Sequence, residues 1–462
     1  MSKGEPYQVL VIGGGAAGLA AIDGALKAGV KRIALVEGDK LGGECPHWAC
    51  APTKVWLKSA RLQQDILSAG RYGIKVKSSS FDLKALKSRW RGVEQALTGN
   101  GERIRVDLLK KGVKLFQGWG KFIDQNTLKV DNHYLKFDQV VIATGSIERE
   151  LDLTMGKKAE LIVTRDIFSF PVWPDSVVIL GGGPVGLELA TAFSGLGAKV
   201  TVLEEQGVIL RKEEPEISAL IEAKLRREGV VIITNARALA INYRSAIKQE
   251  VVFQVGSKPR RTVFGEKIIL SAGRVPRVQK LELTNLGIET KFLRTDDYQR
   301  LAHGVWLAGD AAGSYQFTNT AVREGYVAGY NAGQQSLKKR KFLKHDLDLV
   351  PRITFIEPEL AAVGGSSFAL GREGRKIATF AAPVRVLGRA LIEGKSVGMV
   401  RVVVDAENDS ILGAVAWCEN AGELIHEISL AIKMGIKWHD FQSIFRAYPT
   451  WSEIWGALVR VP

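Results

Sequence analysis

Short apolar runs alternate with helix-like stretches along most of the chain, and two of these alternations share one design. In the first, apolar residues 9–12 lead into Gly13-x-Gly15-x-x-Gly18, an alanine-rich helical stretch follows, and a second apolar strand over 32–37 closes on Glu37. In the second, residues 177–180 lead into Gly181-x-Gly183-x-x-Gly186, a helical stretch over 187–196, and a strand over 199–204 that closes on Glu204. Strand, glycine turn, helix and strand make a βαβ unit, and its duplication predicts two doubly wound parallel sheets. Two more apolar runs, 139–142 and 267–270, end in Ala143-Thr144-Gly145-Ser146 and Ser271-Ala272-Gly273-Arg274, and read as chain crossovers between two such domains. Residues 305–308 end in Gly309-Asp310, a carboxylate at the C-terminal end of a strand, where it faces the crevice of a doubly wound sheet. From about Asp346 the pattern changes to alternating strands such as 399–404 and 412–417, with a helix over 421–434. The predicted fold is therefore α/β, with two doubly wound domains followed by a C-terminal α+β domain.

The glycine turns have a physical reading. The first glycine permits the turn, the second lets the backbone approach a pyrophosphate, and the third allows close packing of the helix, whose N-terminus attracts the phosphates. Glu37 and Glu204 each stand where a carboxylate accepts hydrogen bonds from the hydroxyls of an adenosine ribose. One G-x-G-x-x-G carries little information, but two copies with correctly placed strands and acids predict two dinucleotide-binding domains.

Composition bounds the remaining possibilities. The chain has 462 residues, 46% hydrophobic and 24% charged, which suits a globular protein of about three domains. The most apolar N-terminal stretch, 9–21, is split by four glycines, and no stretch of eighteen apolar residues escapes glycine breaks or charges. No membrane span is expected, and with no strongly basic segment before that stretch and no cleavage site after it, a cytoplasmic location is expected. The net charge of +15 is densest at Lys338, Lys339, Arg340, Lys341 and Lys344. That run lies between predicted domains and no recognised nucleic-acid module accompanies it, so nucleic acid is not an expected partner.

Among three cysteines, Cys45 and Cys50 lie in Gly42-Gly43-Glu44-Cys45-Pro46-His47-Trp48-Ala49-Cys50-Ala51-Pro52-Thr53-Lys54, while Cys418 stands apart and reads as a small buried hydrophobe. Five residues of regular helix rise about 7.5 Å, beyond the Cα separation of a disulfide, so a bridge here requires a distorted turn, which Pro46 helps to supply. A redox pair, a metal site with His47 as the sole neighbouring ligand, and two unrelated thiols are the three readings of these residues. Lys54 lies one helical turn beyond Cys50.

Together these segments resemble the pyridine nucleotide-disulfide oxidoreductase family, which includes dihydrolipoamide dehydrogenase, glutathione reductase and mercuric reductase. The pattern GGxCxxxxCxPxK matches Gly42 to Lys54, GGGxxGxEL matches Gly181 to Leu189, and GD matches Gly309-Asp310. The resemblance covers the whole chain. It implies an FAD domain over 1–147 and 274–343, an NAD domain over 148–273 and a dimerisation domain over 344–462, in a homodimer. It implies that Glu37 binds the FAD ribose, Asp310 the ribityl chain and Gly13, Gly15 and Gly18 the pyrophosphate, with Gly43, Thr144, Gly145, Gly273, Arg274 and Gly309 also at a cofactor. Gly181, Gly183, Gly186 and Glu204 would hold the nicotinamide cofactor. Cys50 would face the flavin, Cys45 would attack the acceptor as a thiolate, and Lys54 with Glu188 would form an ion pair near the flavin N5. No resident metal is expected. Glu204 would repel a 2′-phosphate, and Arg211 and Lys212 come too late to offset it, so NADH is expected over NADPH.

Several positions depart from the family. Its disulfide reductases carry His-Pro near the C-terminus with a following glutamate, and here the segment is Tyr448-Pro449-Thr450-Trp451-Ser452-Glu453. Tyrosine, with a reference pKa near 10 against about 6.5 for histidine, donates a proton at neutral pH but is almost no base. General-base help is worth roughly 10²- to 10⁴-fold, so slow exchange with thiol substrates is expected, and a small acceptor other than lipoamide or glutathione disulfide. Trp48, Trp451 and Trp455 are expected to crowd the site, with His47 as a less favoured substitute base. Glu44 replaces the usual threonine and is expected to raise the Cys45 thiol. A mercuric reductase-like metal-ion reductase is a runner-up, set back because the sequence has neither a CxxC before the first glycine motif nor a cysteine pair near Val459 to Pro462. Direct reduction of a quinone or artificial acceptor by the flavin is the other alternative.

Overall fold

The computed structural model describes residues 5–291, 293–313, 315–345 and 349–461. Asp346, where the sequence pattern changes, lies outside them. The chain divides into two compact units, one of Met1–Pro52, Lys87–Arg149 and Gly273–Leu347, the other of Thr53–Leu86, Glu150–Ala272 and Asp348–Pro462.

In the first unit the strands Arg300–Ala302, Val305–Leu307, His133–Ile142, Tyr7–Ile12, Ile33–Glu37 and Lys114–Gln117 lie in that order, and a hairpin of Gly120–Asp124 and Thr127–Val130 joins His133–Ile142. The central strands are parallel, with Val9 opposite both Ile33 and Gln139. Val9 and Val11 face one apolar cluster, Leu10 and Ile12 the other. Burial on both faces explains why this strand is a continuous apolar run rather than an alternating one. Helix Ala16–Ala28 crosses helix Thr318–Ser336 so closely that a Cβ at Gly329 would fall 1.8 Å from the Ala21 carbonyl oxygen.

The second unit repeats the motif. Val231–Ile233, Lys199–Leu203, Ser176–Leu180 and Lys267–Leu270 form a parallel sheet, beside an antiparallel sheet built on Ala236–Ser245, Lys248–Val255 and Arg261–Gly265. The C-terminal part of this unit is α+β: Arg352–Thr354, Glu359–Gly364, Ile411–Cys418, Met399–Asp405, Ile377–Pro383 and Val459–Val461 make one sheet, and helix Ala421–Met434 packs its apolar face on it. Cys418 is in that core, where burial pushes its thiol up. The fold class is thus two dinucleotide-type sheets and a C-terminal α+β domain.

Helix Cys50–Ser68 begins in the first unit and continues in the second. The reason is aromatic: Trp56, fully buried, packs on Phe168, Trp173 and Phe193 at centroid distances of 4.6, 5.0 and 5.7 Å. Among the described residues no helix is long and apolar enough to cross a membrane.

Candidate active site

The first glycine turn leaves a bare cradle. Gly13 takes φ +103°, and a Cβ at Gly18 would fall 1.7 Å from the Gly13 oxygen, so neither position admits a side chain. Gly15 caps helix Ala16–Ala28 without a capping side chain, which leaves the first N–H groups of that helix without a side-chain acceptor at the cap. Gly43 approaches it so closely that a Cβ there would lie 2.8 Å from Gly15 Cα. Glu37 closes the neighbouring strand, and its two oxygens accept N–H from Gly14 and from Asp39, each at 2.6 Å. Burial pushes this carboxyl above its ordinary range against the pull of those two amides. Thr144 Oγ1 is buried without a hydrogen-bond partner, beside Gly145 at φ +71°. Asp310, on the turn Gly309–Ala312, accepts the Ser146 hydroxyl at 2.6 Å. Bare helix amides, a fixed carboxylate and an orphaned buried hydroxyl fit a dinucleotide such as FAD.

The second turn repeats the construction. Gly181 has φ +116°, and a Cβ at Gly186 would fall 2.0 Å from its oxygen. Gly183 caps helix Pro184–Gly195, with proline in the first turn where its missing N–H costs no bond. Glu204 accepts N–H from Gly182 at 2.6 Å and from Gln206 at 2.7 Å, the counterpart of Glu37. Arg211 and Lys212 are exposed.

Between the cysteines the helix breaks. Helix Glu44–Trp48 ends at Ala49, with φ −129° and ψ −94°, and Cys50 starts a new helix. The irregular turn required by the spacing is therefore at Ala49, not at Pro46, which sits in the first turn of the short helix where proline is tolerated. Thr318, the first residue of helix Thr318–Ser336, brings the two sulfurs together: its Oγ1 lies 3.5 Å from Cys45 Sγ and 3.9 Å from Cys50 Sγ. Lys54, four residues along the same helix as Cys50, pairs with Glu188 at 2.7 Å.

The remaining expected site residues have partners of their own. The Arg274 guanidinium meets Glu44 at 2.6 Å, Glu148 at 3.1 Å, and the Ser146 hydroxyl and carbonyl at 2.7 and 2.8 Å. Gly273, at φ +101°, accepts the Arg149 N–H on its carbonyl. Glu44 does not stand as a bare anion beside Cys45, because Arg277 meets its other oxygen at 2.8 Å and two guanidiniums share its charge. Its carboxyl is raised by burial, with Arg274 and Arg277 opposing.

His47 is 1% exposed, with Nδ1 2.6 Å from Glu94 and Nε2 2.9 Å from the Leu41 carbonyl oxygen, so neither nitrogen is available as a substitute base. Trp451 and Trp455 do not crowd a site either: they are core residues of the C-terminal domain, 7% and 0% exposed. Glu453 closes a capping box by accepting the Thr450 N–H at 2.8 Å, while Tyr448 is 77% exposed. Sequence reasoning missed Thr318, Glu94 and Arg277. Thr318 follows the GD motif by eight residues and was within reach of a spacing argument; the other two carry no local signal.

Comparison with known proteins shows the family. The model for the pyridine nucleotide-disulphide oxidoreductases matches residues 7–325, and that for the family's dimerisation domain matches residues 350–459. The chain is 27% identical over 454 residues to a mercuric reductase of Lysinibacillus sphaericus, covering 97% of this chain and 81% of that protein. It is 30% identical over 459 residues to a dihydrolipoyl dehydrogenase of Geobacillus stearothermophilus, covering 97% and 94%. Among solved structures, LpdA from Mycobacterium tuberculosis superposes with a TM-score of 0.85 at 26% identity, over 96% and 97% of the two chains. The HOCl-induced flavoprotein disulfide reductase RclA from Escherichia coli shares the fold, with a TM-score of 0.83 at 24% identity over 98% and 99%. The chain belongs to the pyridine nucleotide-disulphide oxidoreductases, flavin-dependent enzymes that bind FAD and NAD(P) and form homodimers through the C-terminal domain.

Proposed function

We propose that the chain accepts hydride from NADH and delivers the electron pair to a Cys45–Cys50 couple, which reduces a small acceptor other than lipoamide or glutathione disulfide. When bound, the flavin supplies the two-electron relay between nicotinamide and sulfur. Gly13, Gly15, Gly18 and Gly43 keep the backbone bare for its pyrophosphate, Glu37 orients its ribose, and Thr144, Gly145, Gly309 and Asp310 line its ribityl side. Gly181, Gly183, Gly186 and Glu204 hold the nicotinamide dinucleotide. Lys54 is fixed by Glu188, Cys50 faces the ring, and Cys45 attacks the acceptor. In this assignment 1–147 with 274–343 serve FAD, 148–273 serve NAD, and 344–462 form the dimer.

The observation that carries the reading is the convergence of both cysteine sulfurs on Thr318 Oγ1 beside the helix break at Ala49. The fixed carboxylate of Glu204 supports NADH, since a 2′-phosphate there would meet an anion. Tyr448 supports the unusual acceptor, because facing the cysteines of the other subunit it would supply a proton but no base. A second reading, reduction of a metal ion such as Hg(II), is favoured by the mercuric reductases among the relatives. An anaerobic acceptor screen decides: disulfides, quinones and Hg(II) are offered to the NADH-reduced enzyme and flavin reoxidation is timed, with NADH and NADPH compared by kcat/KM. Ordinary family rates with lipoamide or glutathione disulfide would overturn the acceptor assignment.

A further inference from the structure

His47 lies between the two cysteines in sequence and is 1% exposed. Its Nδ1 is 2.6 Å from Glu94 Oε1 and its Nε2 is 2.9 Å from the Leu41 carbonyl oxygen. A neutral imidazole has one N–H to give, yet both partners accept when Glu94 is ionised. Two arrangements satisfy both contacts. Either the ring is doubly protonated against a carboxylate, or a protonated Glu94 donates to Nδ1 while Nε2–H donates to Leu41. In both, the pair holds the same proton and no net charge, which makes its burial tolerable. Lys40 Nζ stands 3.6 Å from the same Glu94 oxygen and 3.0 Å from Asn100.

These contacts pin the middle of helix Glu44–Trp48 to two places outside it: helix Leu83–Thr98, which carries Glu94, and the loop that carries Leu41. A helix of five residues has negligible stability of its own. While a disulfide joins Cys45 to Cys50, the covalent link restrains this segment too, and the His47 tether is partly redundant. Once the link opens, the tether bears more of the entropy cost of keeping Cys45 in place.

We infer that the His47–Glu94 pair is a positioning device for the couple, stabilising the dithiol form more than the disulfide form. Two electrons from NADH and one proton enter, the S–S bond breaks, and one sulfur leaves as thiol, the other as thiolate; the tether takes no electron or proton in this balance. The inference rests on the assignment of Cys45 and Cys50 as the redox couple.

The test equilibrates FAD-loaded wild type, His47→Ala, Glu94→Ala and Glu94→Gln anaerobically in graded dithiothreitol redox buffers, and scores each cysteine by differential alkylation and mass spectrometry. Glu94→Gln keeps both contacts, because its amide donates to Nδ1 while Nε2–H still reaches Leu41. His47→Ala and Glu94→Ala are expected to move the equilibrium about tenfold toward disulfide, ~30 mV for two electrons, with Glu94→Gln close to wild type. Glu94→Ala covers a failure of His47→Ala to fold. An unchanged equilibrium in the alanine variants, even with a lower melting temperature, would overturn the proposal, since loss of a merely structural tether weakens both redox forms alike. A wild type in which Cys45 and Cys50 never form a disulfide overturns the redox assignment itself, and is told apart by the wild-type titration alone.

Discussion

Lys54 Nζ lies 2.7 Å from Glu188 Oε2, while Glu188 Oε1 accepts the backbone N–H of Phe355 at 3.0 Å. With both oxygens engaged and the residue 6% exposed, the direction of the ammonium is set, and it also stands 4.6 Å over the Phe355 ring. Lys54→Met leaves a buried carboxylate without its cation. The expected outcome is a loss of about 1–3 kcal/mol in urea unfolding. Flavin reduction by NADH is expected to slow by ~10²-fold in stopped flow, within the range of electrostatic stabilisation by one donor. An undiminished rate of flavin reduction would remove the pair from hydride entry.

The parts of this site that were legible in the sequence are those whose chemistry is local. Gly13, Gly18, Gly181 and Gly186 each forbid a side chain for a backbone reason that leaves a fixed spacing, and Glu37 and Glu204 follow at the end of the next strand. What stayed hidden depends on residues far apart in the chain. Nothing near His47 announces Glu94, 47 positions away, nor does anything near Glu44 announce Arg274 and Arg277. The tryptophans misled for the opposite reason: Trp451 and Trp455 sit beside Tyr448 in sequence, but a 3₁₀ turn over Trp451–Gly456 directs them into the core.

Cys45→Ser separates the two electron routes. If sulfur relays the electrons, reduction of a disulfide or thiol-reactive acceptor is expected to fall below about 1% of wild type, because the alcohol cannot replace the thiolate nucleophile. Reduction of the flavin by NADH should persist in the same protein, as should reoxidation by ferricyanide or a quinone. Full retention of turnover with the physiological acceptor would assign the chemistry to the flavin directly.

Tyr448→His tests the proposed lack of a general base at this position. Turnover with a small disulfide is expected to rise by ~10²-fold, the lower end of general-base assistance, and to acquire an ionisation between pH 5 and 8 in its pH–rate profile. A flat profile with no gain would mean that the missing base is not what slows exchange.

Glu419 predicts a pH dependence of stability unconnected with Cys45 and Cys50. It is 9% exposed, with Oε1 3.0 Å from Arg61 and Oε2 buried without a hydrogen-bond partner. Arg61 also serves Glu357 at 2.5 Å, and Lys395 serves Glu357 at 3.4 Å and Asp65 at 3.0 Å, so several carboxylates share two cations. Burial first, then the charge of Glu357, pushes the Glu419 carboxyl from an ordinary 4.5 up to about 7 against the pull of Arg61 and Lys395. The folded state therefore holds this proton more tightly than the unfolded chain. Its contribution to stability is complete below about pH 4.5 and is lost as pH rises to about 7. Glu419→Gln keeps the shape and removes the charge. At pH 8 it is expected to be more stable than wild type by on the order of 1–3 kcal/mol, with the gap closing by pH 5. Thermal melts of both proteins at the two pH values measure this, and an equal gap at pH 5 and pH 8 would show that Glu419 is not the titrating group.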